Sequence, residues 1–136
     1  MNVLRSKPVS EASRILVIDD IEDNAFLLQT LLESEGYRVE VASSGPVGLS
    51  LIETTPPDLV LLDVMMPEMN GFEVVQRIRQ NPNLPFIPIL LISGHAEDAS
   101  AQIAGIRVDG FVSKPIDFEE LLSRVRAILQ SKPVLS

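Results

Sequence analysis

The sequence contains no cysteine. That excludes disulfides, thiol nucleophiles and cysteine-based metal sites. It contains one histidine, His95, so no site that needs two imidazoles can be built within the chain. Positive charge is scarce: Lys plus Arg number 11 against 19 Asp plus Glu, a net charge of −8. A surface of that sign repels phosphate backbones and anionic lipid, so no nucleic-acid or membrane partner is expected. Long apolar runs are missing as well; none approaches the ~18 residues of a membrane-spanning helix. The opening residues, MNVLRSKPVSEAS, lack the hydrophobic segment of a secretion signal, and the expected location is the cytoplasm.

What is present is one domain's worth of chain. The 136 residues are 46% hydrophobic and 22% charged, an ordinary globular balance for a length that can bury a real core. Residues 1–13 read as a polar tail, 14–130 as the domain, and 131–136 as a second tail or the start of a linker. Within the domain, short apolar runs alternate with helical spacing. The runs are Ile15–Ile18, Leu59–Leu62 and Ile89–Ile92, with weaker ones at Arg38–Ala42 and Asp109–Val112. Their lack of polar alternation suits strands buried on both faces.

Five helical segments separate and follow these runs. In the first, Leu27, Leu28, Leu31 and Leu32 recur at helical spacing and Gly36 marks the stop. The second, Gly45 to Thr54, is weakened by Pro46 and by Gly48, which costs ~1 kcal/mol against Ala. The third opens on a capping pair, Asn70 and Glu73, and ends at Asn81-Pro82. The fourth, Glu97 to Ala104, is Ala-rich, and with the second is expected to be the least stable. The last opens on Asp117 and Glu120 and carries the stripe Leu121, Leu122, Val125, Ile128, Leu129. Five strand–helix units predict an α/β fold with one parallel sheet and helices on both faces.

The polar residues that follow the runs carry the functional signal. ILVI leads into Asp19-Asp20, LVLL into Asp63, ILLI into Ser93, and DGFV, after Ser113, into Lys114-Pro115. Open α/β sheets build their sites at the carboxyl ends of the strands, so these groups converge on one edge. Two carboxylates ~4 Å apart repel by roughly 4 kcal/mol at an effective dielectric of 20. Three of them with one ammonium leave a charge deficit suited to a divalent cation, and an all-oxygen ligand set favours Mg²⁺, with Mn²⁺ as a substitute. A carboxylate nucleophile, a metal and a lysine around one point suit phosphoryl transfer to aspartate. Singly, an aspartate after a strand is ordinarily a helix cap or a turn residue. The reading rests on four strand ends carrying complementary charges in order.

These stretches, ILVIDD at 15–20, LVLLDVMMPEMNGFE at 59–73, PILLIS at 88–93 and VDGFVSKP at 108–115, resemble the response-regulator receiver domain of two-component signalling. The resemblance spans roughly Ser13 to Ser131. It implies a flavodoxin-like, doubly wound (βα)5 fold with a five-stranded parallel sheet in the order 2-1-3-4-5. It implies that Asp63 is the phosphoacceptor, and that Asp19, Asp20, Asp63 and the backbone carbonyl of Met65 hold Mg²⁺. Lys114 would contact the phosphoryl group, Ser93 would follow it, and Phe111 would be the aromatic switch. The Lys114–Pro115 bond would be cis. Ser93 stands where Thr is commoner, and Phe111 lacks the hydroxyl of the tyrosine often found there. Met65 and His95 occupy positions that tune phosphoryl lifetime in similar domains; loop packing for Met65, and plain exposure for His95, are the ordinary alternatives.

The function so implied is a phosphorylation-activated switch rather than an enzyme acting on external substrates. A sensor histidine kinase or histidine phosphotransfer protein would supply the phosphoryl group. The surface of the fourth helix, fifth strand and fifth helix would change affinity for a downstream effector or output domain, or for a second copy in a phosphorylation-dependent dimer. The alternative is a receiver-like interaction module that is never phosphorylated. A dehalogenase-type phosphatase would need a second aspartate at position 65, where the chain has Met; a flavin-binding domain would not place Asp19-Asp20 in its phosphate loop.

Overall fold

The computed structural model describes residues 13–94 and 107–130. In chain order the elements are β1 (Arg14–Ile18), α1 (Glu22–Ser34), β2 (Arg38–Ala42), α2 (Gly45–Thr54), β3 (Leu59–Asp63), α3 (Gly71–Gln80), β4 (Ile89–Ser93), β5 (Gly110–Ser113) and α4 (Phe118–Gln130). The strands form one parallel sheet ordered β2-β1-β3-β4-β5, the doubly wound order expected. The register runs level across it: Ile18 pairs with Ala42 and Leu62, Asp63 with Ile92, and Ser93 with Ser113. The segment predicted as the Glu97–Ala104 helix, and His95 with it, lies outside the described residues.

Successive strand residues point to opposite faces, and each face has its own core. Leu16, Ile18, Val60, Leu62, Ile89 and Leu91 pack under α2 and α3 with Ile52, Phe72, Val75 and Ile78. Ile15, Val17, Leu59, Leu61, Leu90, Ile92 and Val112 pack under α1 and α4 with Leu28, Leu32, Leu121 and Val125. Each fully buried side chain of this kind contributes roughly 1.5–3 kcal/mol against exposure. β2, at the sheet edge, is the exception; it is exposed over most of its length.

Helix ends follow the sequence signals with instructive departures. α3 begins with a complete capping box between Asn70 and Glu73 and stops at Asn81. Gly36 ends α1 at φ 96°, a left-handed conformation that glycine adopts without strain, and its N–H donates to the carbonyl of Glu33. Of the four α1 leucines, Leu28 and Leu32 are buried, whereas Leu27 is 49% exposed. It lies off the i, i+4 stripe set by Ala25, Leu28 and Leu32. At α4, Asp117 accepts the N–H groups of Glu119 and Glu120, but the Glu120 carboxylate accepts from Arg124 Nε. That start is a one-sided cap.

The edge of the sheet away from the carboxyl ends is tied by Arg79. Its Nε donates to the Arg107 carbonyl at 3.0 Å and Nη1 to the Ile87 carbonyl at 2.8 Å. Nη2 lies 3.6 Å from the Asp109 carboxylate, which also accepts the Ile89 N–H. The Phe86 ring sits against the guanidinium groups of both Arg79 and Arg107, 4.9 and 4.7 Å from its centre. One side chain thus joins the end of α3 to the entries of β4 and β5.

α2 forms over the predicted span, with the Ser44 hydroxyl accepting the Val47 N–H at its start. Gly48 is there because the helix crosses β1 closely: a Cβ at 48 would run into Cδ1 of Ile18. Gly48→Ala would gain about 1 kcal/mol of helix propensity but overpack the contact, which typically costs 1–3 kcal/mol. The expected net is a loss of about 1 kcal/mol. Denaturant unfolding checks this. Ile18→Val, which removes Cδ1, should recover part of the loss in the double variant, so the two changes should be non-additive. Strict additivity would place the strain elsewhere.

Candidate functional site

The carboxyl edge of the sheet is built by register. Asp63 closes β3, and Asp19 follows β1 one position beyond the Ile18–Leu62 pair, so the two carboxylates stand side by side. Both are buried, Asp63 at 1% and Asp19 at 3% exposure, while Asp20 is exposed. One carboxylate oxygen from each of the three falls within 4.8 Å of the other two. Asp19 is fixed at the backbone, where its N–H donates to the Ala42 carbonyl, and at the side chain, where Oδ1 accepts the Ile21 N–H at 2.9 Å. That hydrogen bond turns the chain from β1 into α1.

Asp63 is held asymmetrically. Oδ1 accepts the Met65 N–H at 3.2 Å and the Lys114 ammonium at 3.4 Å. Oδ2 is buried and has no hydrogen-bond partner among the described residues. An orphaned carboxylate oxygen beside two further carboxylates is what a cation-binding site presents. The donors are all oxygen, which fits a hard divalent ion such as Mg²⁺ or Mn²⁺. Asp19, Asp20 and Asp63 could hold it, and burial raises the Asp19 carboxyl to about 6, with Asp63 and Asp20 adding to the rise and the Ile21 N–H and Lys114 opposing it. A cation would relieve that unfavourable charge.

The other sequence-derived residues surround this point. Lys114 follows β5 through the N–H it donates to the Ser93 carbonyl, and the Lys114–Pro115 peptide is cis. Ser93 is buried at the end of β4 and is hydrogen-bonded or otherwise engaged. Phe111 is half-buried, pairs with Leu91 and packs on the α2–α3 side of the sheet. By alternation Ser93 lies on that same side, two positions along. The Met65 side chain is 63% exposed.

Two features were not assigned a role from the sequence. Gly71, at the start of α3, is pressed against the strand end: a Cβ there would come 2.7 Å from the Asp63 carbonyl and 2.8 Å from Val64 Cα. Its N–H donates to the Val64 carbonyl. A glycine eight residues after the aspartate was the available signal, but only the crossing explains it. The second feature is a cavity of about 310 Å³ beside Asp19 and Lys114, lined by Asn24, Leu27, Leu28, Pro115, Ile116 and Phe118. Exposed Ile21, Leu27 and Phe118 give this end of the molecule an apolar surface. Leu27, off the buried stripe of its helix, was the sign of it.

With this geometry in place, comparison with known proteins is specific. Residues 15–126 match the family model of the response regulator receiver domain. The response regulator PleD of Caulobacter vibrioides is 40% identical over 126 residues, 91% of this chain and 28% of PleD. The DNA-binding dual master transcriptional regulator RpaA of Synechocystis is 40% identical over 121 residues, 86% of this chain and 49% of RpaA. Among solved structures, the chemotaxis protein CheY4 of Vibrio cholerae superimposes with a TM-score of 0.79 at 27% identity, covering 85% of this chain and 98% of CheY4. The receiver domain of a histidine kinase from Syntrophus aciditrophicus gives 0.79 at 28% identity, covering 91% and 97%. The chain belongs to the response-regulator receiver domain family. It spans between about a quarter and half the length of the curated relatives named here.

The raised Asp19 carboxyl makes a pH prediction for the metal-free protein. An unfolded aspartate titrates near ~3.9, and folded Asp19 near about 6. Between these values the folded state keeps a proton that the unfolded chain has released, so this group's contribution to stability falls as pH rises through the window. Asp19→Asn keeps the acceptor for Ile21 and removes the titration. In chelator, its melting temperature should exceed the parent's at pH 7.5, and the gap should close towards pH 4.5. A gap independent of pH would show that ionisation of Asp19 is not the destabilising term.

Proposed function

We propose that the chain is a phosphorylation-activated signalling switch whose phosphoacceptor is Asp63. The supporting observation is the asymmetry of that carboxylate: one oxygen is held by Met65 and Lys114, and the other is buried without a partner. The two oxygens of such a carboxylate divide the work, one toward a cation and the other toward phosphorus. Asp63 attacks the phosphorus of a phosphohistidine on a sensor histidine kinase or phosphotransfer protein. The P–N bond breaks, and the leaving imidazole takes a proton.

Asp19, Asp20, Asp63 and the Met65 carbonyl would hold Mg²⁺, which when bound neutralises charge on the phosphoryl oxygens. Lys114 neutralises a further oxygen and is already within reach of Asp63. Ser93 moves to the new dianion, and Phe111, on the same side of the sheet, repacks with it. The surface of the segment predicted as the Glu97–Ala104 helix, with β5 and α4, then changes its affinity for an effector, an output domain or a second copy. The two states lie within a few kcal/mol, so the modification shifts a population. The apolar surface of Ile21, Leu27 and Phe118 supports docking of the donor protein beside α1. No described helix is long and apolar enough to cross a membrane, and the expected setting is the cytoplasm.

Incubation with a small-molecule phosphodonor and Mg²⁺ tests the assignment. The parent should take up one phosphoryl group on the peptide containing Asp63, and Asp63→Asn should take up none while melting normally. Labelling that survives in Asp63→Asn would move the acceptor elsewhere. A folded parent that neither labels nor responds to beryllofluoride would favour a fixed interaction module.

A further inference from the structure

One edge of the sheet is open. Among the described residues β2 pairs only with β1, and β5 forms the opposite edge. Main-chain groups alternate in direction along a strand. The Arg38 N–H donates to the Ser13 carbonyl, and the Ala42 carbonyl accepts the Asp19 N–H. Residues 38, 40 and 42 therefore turn their N–H and C=O groups to β1, and Val39 and Val41 turn theirs outward. The side chains divide as well. Tyr37 and Val39 pack on the α1–α4 side, and by alternation Val41, itself exposed, shares it. Arg38 and Glu40, both exposed, share the α2–α3 side with Ala42. Arg38 stands beside another arginine, Arg14, in the sheet register and has no ion-pair partner among the described residues. Glu40 is bound to Arg14 through Oε1 alone. From 37 to 41 the chain reads Tyr-Arg-Val-Glu-Val, which is complementary to itself when reversed about Val39.

We propose that β2 is a self-association edge, at which a second copy of this chain pairs antiparallel across a two-fold axis at Val39. The two five-stranded sheets then run on as one. Each Val39 exchanges both main-chain hydrogen bonds with its counterpart, and each Val41 N–H donates to the Tyr37 carbonyl of the other copy. Arg38 stands opposite Glu40 twice, at the non-hydrogen-bonded positions where side chains approach most closely. On the other face Tyr37, Val39 and Val41 form one apolar strip. An axis at Arg38 or at Glu40 would set like charges opposite each other, and an axis at Val41 would leave Glu40 opposite Ala42. Charges on an edge strand ordinarily block pairing; here their order selects one register. The interface lies away from the β5 surface and needs no phosphoryl group on Asp63.

Sedimentation of the intact, unphosphorylated chain at rising concentration tests this. The parent should show a monomer–dimer equilibrium. Arg38→Glu and Glu40→Arg should each weaken it on the order of tenfold, because like charges then stand directly opposite. Mixed in equal amounts, these two variants should recover the parent's affinity as a heterodimer. Val39→Pro removes one outward N–H from a position where an edge strand tolerates proline, and should melt cooperatively as a monomer. The chain has no cysteine, so an introduced thiol reports the register. In the proposed pairing the two Val39 Cα atoms lie about 5.5 Å apart, within disulfide reach. Val39→Cys should therefore form a linked dimer on mild oxidation, and Val41→Cys should not. A parent that stays monomeric up to its solubility limit would overturn the proposal. So would a dimer that survives both charge reversals, or folded charge variants that fail to rescue each other. Faster linkage through Val41→Cys than through Val39→Cys would overturn the register and, with it, the role of the ion pairs.

Discussion

Three carboxylates forced together with one ammonium are the constraint around which this molecule is organised. Left in water, Asp19, Asp20 and Asp63 would separate, since each pair at ~4 Å repels by roughly 4 kcal/mol at an effective dielectric of 20. Here two of them are almost completely buried. Lys114, 3.4 Å from Asp63, offsets part of the repulsion. The remainder is carried by the sheet: in-register pairing of Ile18 with Leu62 and of Asp63 with Ile92 fixes the strand ends, and the strands cannot slip without turning both cores outward. Burial, with Asp63 and Asp20 adding to it, raises the Asp19 carboxyl to about 6. Such a site answers strongly to any added charge, whether a proton, a cation or a dianion.

The surrounding elements are shaped by the need to keep that edge rigid. Gly71 lets α3 begin directly against the carbonyl of Asp63, and the Asn70–Glu73 box fixes where it begins. The loop between is short of slack: Glu68 takes φ 68° within it, an uncommon conformation for a side-chain-bearing residue. Gly48 allows α2 to approach Ile18, directly behind Asp19. At the far edge, Arg79 gathers the entries of β4 and β5 through donated hydrogen bonds and its contact with Phe86. Burial pulls the Arg79 guanidinium below its ordinary value while Asp109 supports its charge. β5 is thus tied at its start and carries Lys114 just past its end.

Much of this was legible in the sequence because the signals are local and strong. Short apolar runs without polar alternation gave the strands, and the residue types after them gave the acidic edge. Asn70–Glu73, Gly36 and Asn81 marked helix ends that the structure retains. What the sequence concealed depends on crossings and on distant partners. Gly48 reads as a weakness in α2 until Ile18 is seen beneath it. Glu120 has the spacing of a capping box, but Arg124, one turn later, is a charged partner on the same helix. Leu27 counts as one more leucine of an amphipathic helix until the stripe of Ala25, Leu28 and Leu32 excludes it. The strand order itself came from family resemblance, since periodicity does not specify which strands are neighbours.

The alternation of the strands also determines what a phosphoryl group on Asp63 would have to do. Asp63 shares its face with Leu61 and Ile92, the α1–α4 side, where Leu27 and Phe118 are exposed. Ser93 and Phe111 share the other face, the α2–α3 side, through the Leu91–Phe111 and Ser93–Ser113 pairs. Within the sheet no side chain passes from one face to the other; the two sides meet only past the strand ends. In the proposed switch, a group that draws in both Lys114 and Ser93 bridges that edge. It thereby links the side that receives the signal to the side on which Phe111 repacks. The placement of one serine on the opposite face from the acceptor is what would turn a local charge change into a difference across the sheet.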